Sequence, residues 1–139
     1  RHARRAGRLV AAIAEHMAPG GVLRGGGGGD GGLFAGITAR YLALAANRLP
    51  DDPAVREVAR EIVLASATAA WDNRCTVAGS PLFGSFWDRP AELPTGGGQP
   101  ARFAGGAVHG SAVAERDLSV QLSAWMLMEA AHTVSVSRG

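Results

Sequence analysis

Two kinds of helical segment alternate along this chain, and the connections between them alternate in length. Segment A, about residues 3–18, puts Leu9, Val10, Ile13 and Met17 on one face, with Arg4, Arg5, Arg8 and Glu15 mostly elsewhere, so it reads as an amphipathic helix. Segment B, about 33–48, is apolar nearly all round (Leu33, Phe34, Ile37, Tyr41, Leu42, Leu44), the pattern of a helix covered on most sides. Segment C, about 53–73, is amphipathic again, with Val55, Val58, Ile62, Ala65 and Ala69 on one stripe and Arg56, Glu57, Arg60 and Glu61 facing away. Segment D, about 114–135, returns to the all-round pattern through Leu118, Val120, Leu122, Trp125, Met126, Leu127 and Met128. B joins C through a short turn, whereas A to B (about 19–32) and C to D (about 74–113) are long and glycine-rich. Antiparallel helix hairpins with A and C outside and B and D inside satisfy both alternations. The long loops then gather at one end, above the starts of the inner helices. A compact four-helix bundle fits less well, because bundles use short connections. No convincing strand pair is read in either loop.

Composition narrows the function classes. The 139 residues suffice for one domain with a core. All 14 basic residues are arginine, and 12 acids leave a net charge of +2 spread along the chain, unlike the basic stripe of a nucleic-acid binder. No run reaches the roughly 18 uncharged apolar residues of a membrane span. The single cysteine, Cys75, excludes an internal disulfide and a Cys-rich zinc site. The glycine tract Gly25–Gly29 satisfies GxGxxG trivially, but no strand precedes it and no Gly-Lys-Ser/Thr follows, so no nucleotide site is expected. No cofactor or metal is expected.

Three motifs carry chemistry. Asp30-Gly31-Gly32-Leu33-Phe34-Ala35-Gly36-Ile37-Thr38-Ala39-Arg40-Tyr41-Leu42 follows the glycine tract. Ala70-Trp71-Asp72-Asn73-Arg74 ends segment C, and Phe83-Gly84-Ser85-Phe86-Trp87-Asp88-Arg89-Pro90 lies in the long loop after it. In this order they resemble GDGxxFKGIxxRYL, AWxNR and FGxxW of glycoside hydrolase family 76, the endo-acting α-1,6-mannanases and their bacterial relatives. The resemblance covers nearly the whole chain but only the last part of the family's domain. It implies an (α/α)6 toroid of which residues 1–139 form the C-terminal portion. It also implies endo-hydrolysis of α-1,6-mannan with retention of configuration, an extracellular or cell-envelope setting, and a polysaccharide or oligosaccharide partner. The two adjacent catalytic aspartates of the family precede its GDGxxF motif. The catalytic pair is therefore expected upstream, in an N-terminal part of the same domain, and this chain alone is expected to be inactive and sticky, its inner faces lacking neighbours.

The candidate substrate-binding residues are Asp30, Phe34, Trp87, Arg40 and Asn73; none is assigned as catalytic or metal-binding. Sugars are held by polar groups on hydroxyls and by aromatic faces on the C–H side of the ring. Asp30 and Phe34 fit that chemistry equally as well as the plain alternative, a helix cap and a core ring. Arg40, inside an apolar helix, is expected to be buried and paired with a carboxylate. Trp71 is expected in the core, Asn73 and Arg74 bonding loop carbonyls, and Trp87 either stacking on a sugar or packing the loop. The family's usual lysine is Ala35 here, and the acid of its FGxDW form is Phe86. Glu115 and Asp117 complement the dipole at the start of D. Asp51-Asp52 precedes Pro53 on the short-loop end and reads as a helix cap rather than a catalytic pair. Cys75 and His109 lack an orienting third group. Two other readings remain open: an α/α-toroid enzyme acting on another sugar, and a non-catalytic carbohydrate-binding or helical interaction module.

Overall fold

The computed structural model describes residues 2–50 and 52–137. Its helices are α1 (His2–His16), α2 (Phe34–Arg48), α3 (Pro53–Asp72) and α4 (Leu118–Val136), with short 3-10 turns at Pro19–Gly21, Gly29–Gly31 and Ala114–Arg116. Proline in the first turn and the Asp52 carboxylate, which accepts from Val55 N at 3.1 Å, start α3. Asp51 lies outside the described residues.

Side-chain bonds fix the helix directions. Gly36 N donates to Ser123 Oγ at 2.8 Å near the starts of α2 and α4, and Asn47 Nδ2 donates to Thr133 O at 3.3 Å near their ends, so these two helices run parallel, side by side. At the short turn Arg56 Nε donates to Ala46 O at 2.9 Å, which holds the start of α3 on the end of α2 and makes that pair antiparallel. α3 packs on α1 as well as on α2 and α4. The result is an inner layer of α2 and α4 and an outer layer of α1 and α3, the all-α arrangement of an α/α-toroid segment. Small residues let the inner layer close tightly. A Cβ added to Gly36 would lie 2.6 Å from the Ser123 carbonyl oxygen, and Ala39, Ala46, Ala59 and Ala124 are fully buried around Leu42, Val63, Leu127 and Val134.

Several side-chain placements depart from the periodicity, Val58 and Ala65 on the apolar stripe of α3 among them, which are exposed. Leu9 and Met17 are exposed, because α1 turns Gly7 and Val10 inward. Arg60, expected to face solvent, is buried. One of its guanidinium nitrogens donates to Val134 O at the end of α4, and the other reaches Asn47 Oδ1 at 3.4 Å. The all-round apolar pattern of α2 and α4 does not mean all-round burial within this chain. Phe34, Tyr41, Leu44, Leu118, Leu122 and Trp125 remain exposed.

The second long connection also carries strands that the sequence did not reveal. The loop from α3 to α4 carries two antiparallel hairpins, β1 (Cys75–Val77) with β2 (Ser80–Leu82), and β3 (Arg102–Ala104) with β4 (Ala107–His109). Both turn through two residues of positive φ, Ala78-Gly79 and Gly105-Gly106, the geometry that matches the twist of a tight hairpin. Strands of three residues are too short to show an alternation in sequence, which is why they escaped it.

Candidate functional site

The glycine tract, the start of α4 and the β3–β4 hairpin converge where α2 and α4 begin. At their centre is Asp117, the N-cap of α4 and only 4% exposed. Its Oδ1 accepts from Ser119 N at 3.0 Å and Ser119 Oγ at 2.7 Å; its Oδ2 accepts from Ser111 N at 2.9 Å and Gly29 N at 3.2 Å. One carboxylate thus ties the glycine turn, the strand exit after β4 and the helix start together. Burial pushes its pKa up, but the Ser119 hydroxyl and the backbone donors of Ser111, Ser119 and Gly29 outweigh that, so it sits below 3.8. A depressed folded-state pKa means that this stabilisation is present above the ordinary carboxylate range and is lost as pH falls through the lowered value. Acid titration of stability should therefore show a component below about pH 4 that Asp117→Asn removes; an unchanged acid limb in the variant would contradict it.

Asp30 sits in the Gly29–Gly31 turn and caps nothing. The N-cap of α2 is Leu33, without a side-chain bond, while Asp30 Oδ2 accepts from Val108 N at 3.0 Å. The glycine before it is needed for that approach. Gly29 has φ of 66°, and a Cβ there would stand 2.3 Å from Val108 O. In this structure the tract's close approaches are therefore to the protein's own backbone and side chains: Gly25 to the Ser85 carbonyl, Gly28 to the Asp117 carboxylate and Gly29 to Val108. Phe34, the first residue of α2, is 63% exposed, so it does not fill the core.

The remaining candidates are elsewhere. Trp87 is 3% exposed and packs in the core with Phe83, so neither face of its ring is open to stack on a sugar. Asn73 Nδ2 donates to Trp87 O at 3.0 Å and Asn73 O accepts from Ala91 N at 2.7 Å, holding the loop from both sides. Arg40 is exposed rather than buried, because α2 turns Ala39, Leu42, Ala43 and Ala46 inward and leaves Arg40 and Tyr41 outside. It lines a groove of about 810 Å³ between α2 and α4 with Tyr41, Asn47, Trp125 and Glu129, well down the helix from Asp30. Trp71, expected inside, is partly exposed beneath the Arg74 guanidinium, 3.9 Å from the ring centroid. Ala35 is buried, so its position faces packing rather than open surface. Cys75 Sγ contacts Ala91 O, whereas His109 Nε2 lies 3.1 Å from Ala104 O, so the two do not form a pair. Among the described residues no group of three or more His, Cys, Asp or Glu could hold a metal, and no helix is long and apolar enough to cross a membrane.

Sequence reasoning missed Gln121, which bridges Phe83 N and O (3.0 and 2.8 Å) to Glu115 O (3.0 Å). Phe103, which counts among the aromatic residues that argue for an ordered loop, stands 75% exposed on β3. No local pattern marks the Gln121 bridge, since Phe83 is 38 residues away in sequence.

No protein-family model and no curated protein matches the sequence. Solved structures do. The GH76A α-1,6-mannanase from Salegentibacter sp. HEL1_6 aligns at 33% identity and TM-score 0.68 over 95% of this chain and 33% of that one. An inactive variant of that enzyme with two adjacent aspartates replaced, in complex with α-1,6-mannotetrose, aligns at 31% identity and TM-score 0.66, with the same coverage of both chains. A second such variant, in complex with α-1,6-mannotriose, aligns at 34% identity and TM-score 0.60 over 90% of this chain and 32% of the other. This chain spans about a third of the length of these enzymes. Over nearly its whole length it therefore resembles, in both fold and sequence, part of a glycoside hydrolase family 76 α-1,6-mannanase.

Proposed function

We propose that this chain is the C-terminal portion of a family 76-like endo-α-1,6-mannanase and forms one wall of its glycan cleft. The observation that carries the reading is 33% identity over 95% of the chain to an α-1,6-mannanase, two variants of which are in complex with α-1,6-linked mannooligosaccharides. The end of the molecule where α2 and α4 begin is the wall in question: Asp30 and Phe34 are exposed there on a backbone fixed by Asp117.

The chemistry needs two carboxylates, and in a retaining glycosidase they stand about 5–5.5 Å apart. The nucleophile and the acid/base come from the part of the domain outside this chain. The residues here bind and orient the glycan: Phe34 offers an apolar face to the C–H side of a mannosyl ring, and the free lone pairs of Asp30 accept from a hydroxyl. Asn73 keeps its place in the reading as a support that holds the Trp87 loop, and Arg40 as a cation on the inner groove. Trp87 contributes through packing rather than stacking.

Reducing-sugar release from linear α-1,6-mannan by the full-length product of the gene tests the proposal. Release of short oligomers is expected, with none from the 139-residue chain alone. A folded full-length protein that binds mannan without cleaving it would replace the enzyme by a carbohydrate-binding module. One that neither binds nor cleaves mannan would move the reading to another glycan.

A further inference from the structure

The β3–β4 hairpin is clamped to the site at two points and yet holds a large apolar ring in solvent. Val108 N donates to Asp30 Oδ2 at 3.0 Å, and Ser111 N, just past the end of β4, donates to Asp117 Oδ2 at 2.9 Å. Gly29 lies against the Val108 carbonyl, and Gly110 against the backbone of Gly28. Phe103 is the cross-strand partner of Val108, so the two side chains share one face of the ribbon, and Phe103 is 75% exposed. The ring is therefore one strand away from the bond that Asp30 makes. A two-stranded ribbon is marginal by itself, and this one is held by buried and charged acceptors. That rigidity contributes nothing to packing an exposed ring, but it would lower the ordering cost of a ligand that stacks on it.

We infer that the hairpin is a sugar-contacting element of the glycan cleft, with Phe103 as its stacking ring and the carboxylates of Asp30 and Asp117 as the clamps that fix it. The inference rests on the mannan-binding reading above and adds to it an aromatic contact that none of the sequence motifs contains. An exposed apolar ring on a strand whose partner is bonded to the exposed Asp30 carboxylate matches a pyranose, which offers C–H groups on one face and hydroxyls at its edge. It matches a nucleic acid poorly, since Asp30 would repel phosphate.

The test is calorimetric titration with α-1,6-mannotetraose of the full-length protein made non-cleaving by replacing its upstream aspartate pair, comparing this parent (wild type at Phe103) with its Phe103→Ala and Phe103→Trp versions, alongside their thermal unfolding. Phe103→Ala should bind about tenfold more weakly and Phe103→Trp within about twofold of wild type, with unfolding midpoints unchanged. Wild-type binding with an unaffected Phe103→Ala variant would overturn the hairpin's role and leave the mannan reading standing. A Phe103→Ala variant that keeps its affinity but unfolds at lower temperature would also overturn it, by making the ring a packing contact to the rest of the domain. Absence of wild-type binding would overturn the mannan reading and the inference together.

Discussion

Replacing Asp117 by alanine is expected to cost about 2–4 kcal/mol of stability, because it removes a helix cap and strands buried donors at once. Loss of the cap alone is worth about 1 kcal/mol. The larger part comes from Gly29 N and Ser111 N, which then face a cavity with no acceptor. Gly29 is itself buried, so water cannot simply replace the carboxylate. The unfolding midpoint should fall by roughly 10 °C. The loop end should also loosen, so any sugar affinity should drop further than stability alone explains. A midpoint within about 2 °C of wild type would mean that the turn finds other partners and that Asp117 is not its anchor.

Arg60→Ala is expected to cost a similar amount, about 2–4 kcal/mol, at the opposite end of the helices. The side chain is 7% exposed and spans three helices: it leaves α3, donates to Val134 O on α4 and reaches Asn47 on α2. Its ion pair with Glu57, at 3.7 Å, is a minor contribution, because the Glu57 side chain is 51% exposed and such pairs are worth little. The charge-assisted bond to a buried carbonyl and the packing of the aliphatic stem carry the effect. Denaturant unfolding of Arg60→Ala and Glu57→Ala separates these contributions. Arg60→Ala should shift the midpoint strongly and Glu57→Ala by no more than about 0.5 kcal/mol; equal shifts would make the surface pair the main interaction.

Much of the helical frame was legible in the sequence. The difference between amphipathic and all-round apolar segments, together with one short and two long connections, was enough to place α2 and α4 inside α1 and α3. Periodicity failed at finer grain for a physical reason. Arg60 lies on what looks like a polar face, yet a guanidinium can be buried where a helix end offers carbonyls, and a stripe of apolar letters does not encode that. Arg40 failed in the other direction: it looked buried because its helix is apolar, but the apolar side chains beside it are themselves uncovered within this chain. The hairpins left one readable mark, Gly105-Gly106, a pair that favours a two-residue turn, while their three-residue strands left none.

At the candidate site, the fold places several motif residues differently from what their letters suggested. Asp30 was legible as an acceptor but not as the acceptor of Val108 N, 78 residues away in sequence. The glycines before it suggested a close approach without telling what approaches, and here it is the protein itself: the Ser85 carbonyl, the Asp117 carboxylate and the β3–β4 hairpin. Trp87 carried a stacking expectation on residue type alone; its burial shows how little an aromatic letter says about which face is free. Phe103 stands outside every motif, and only the fold pairs its strand with the one that bonds Asp30.

Hydrogen exchange of the full-length protein, its upstream aspartate pair replaced so that the ligand is not cleaved, with and without α-1,6-mannotetraose tests the central claim most directly, because it reports both binding and its location. The account predicts added protection at residues 29–34 and 102–109, with little change at the end where α2 turns into α3. Binding that protects neither of those segments, or protects only residues outside this chain, would contradict the claim that this chain forms a wall of the glycan cleft.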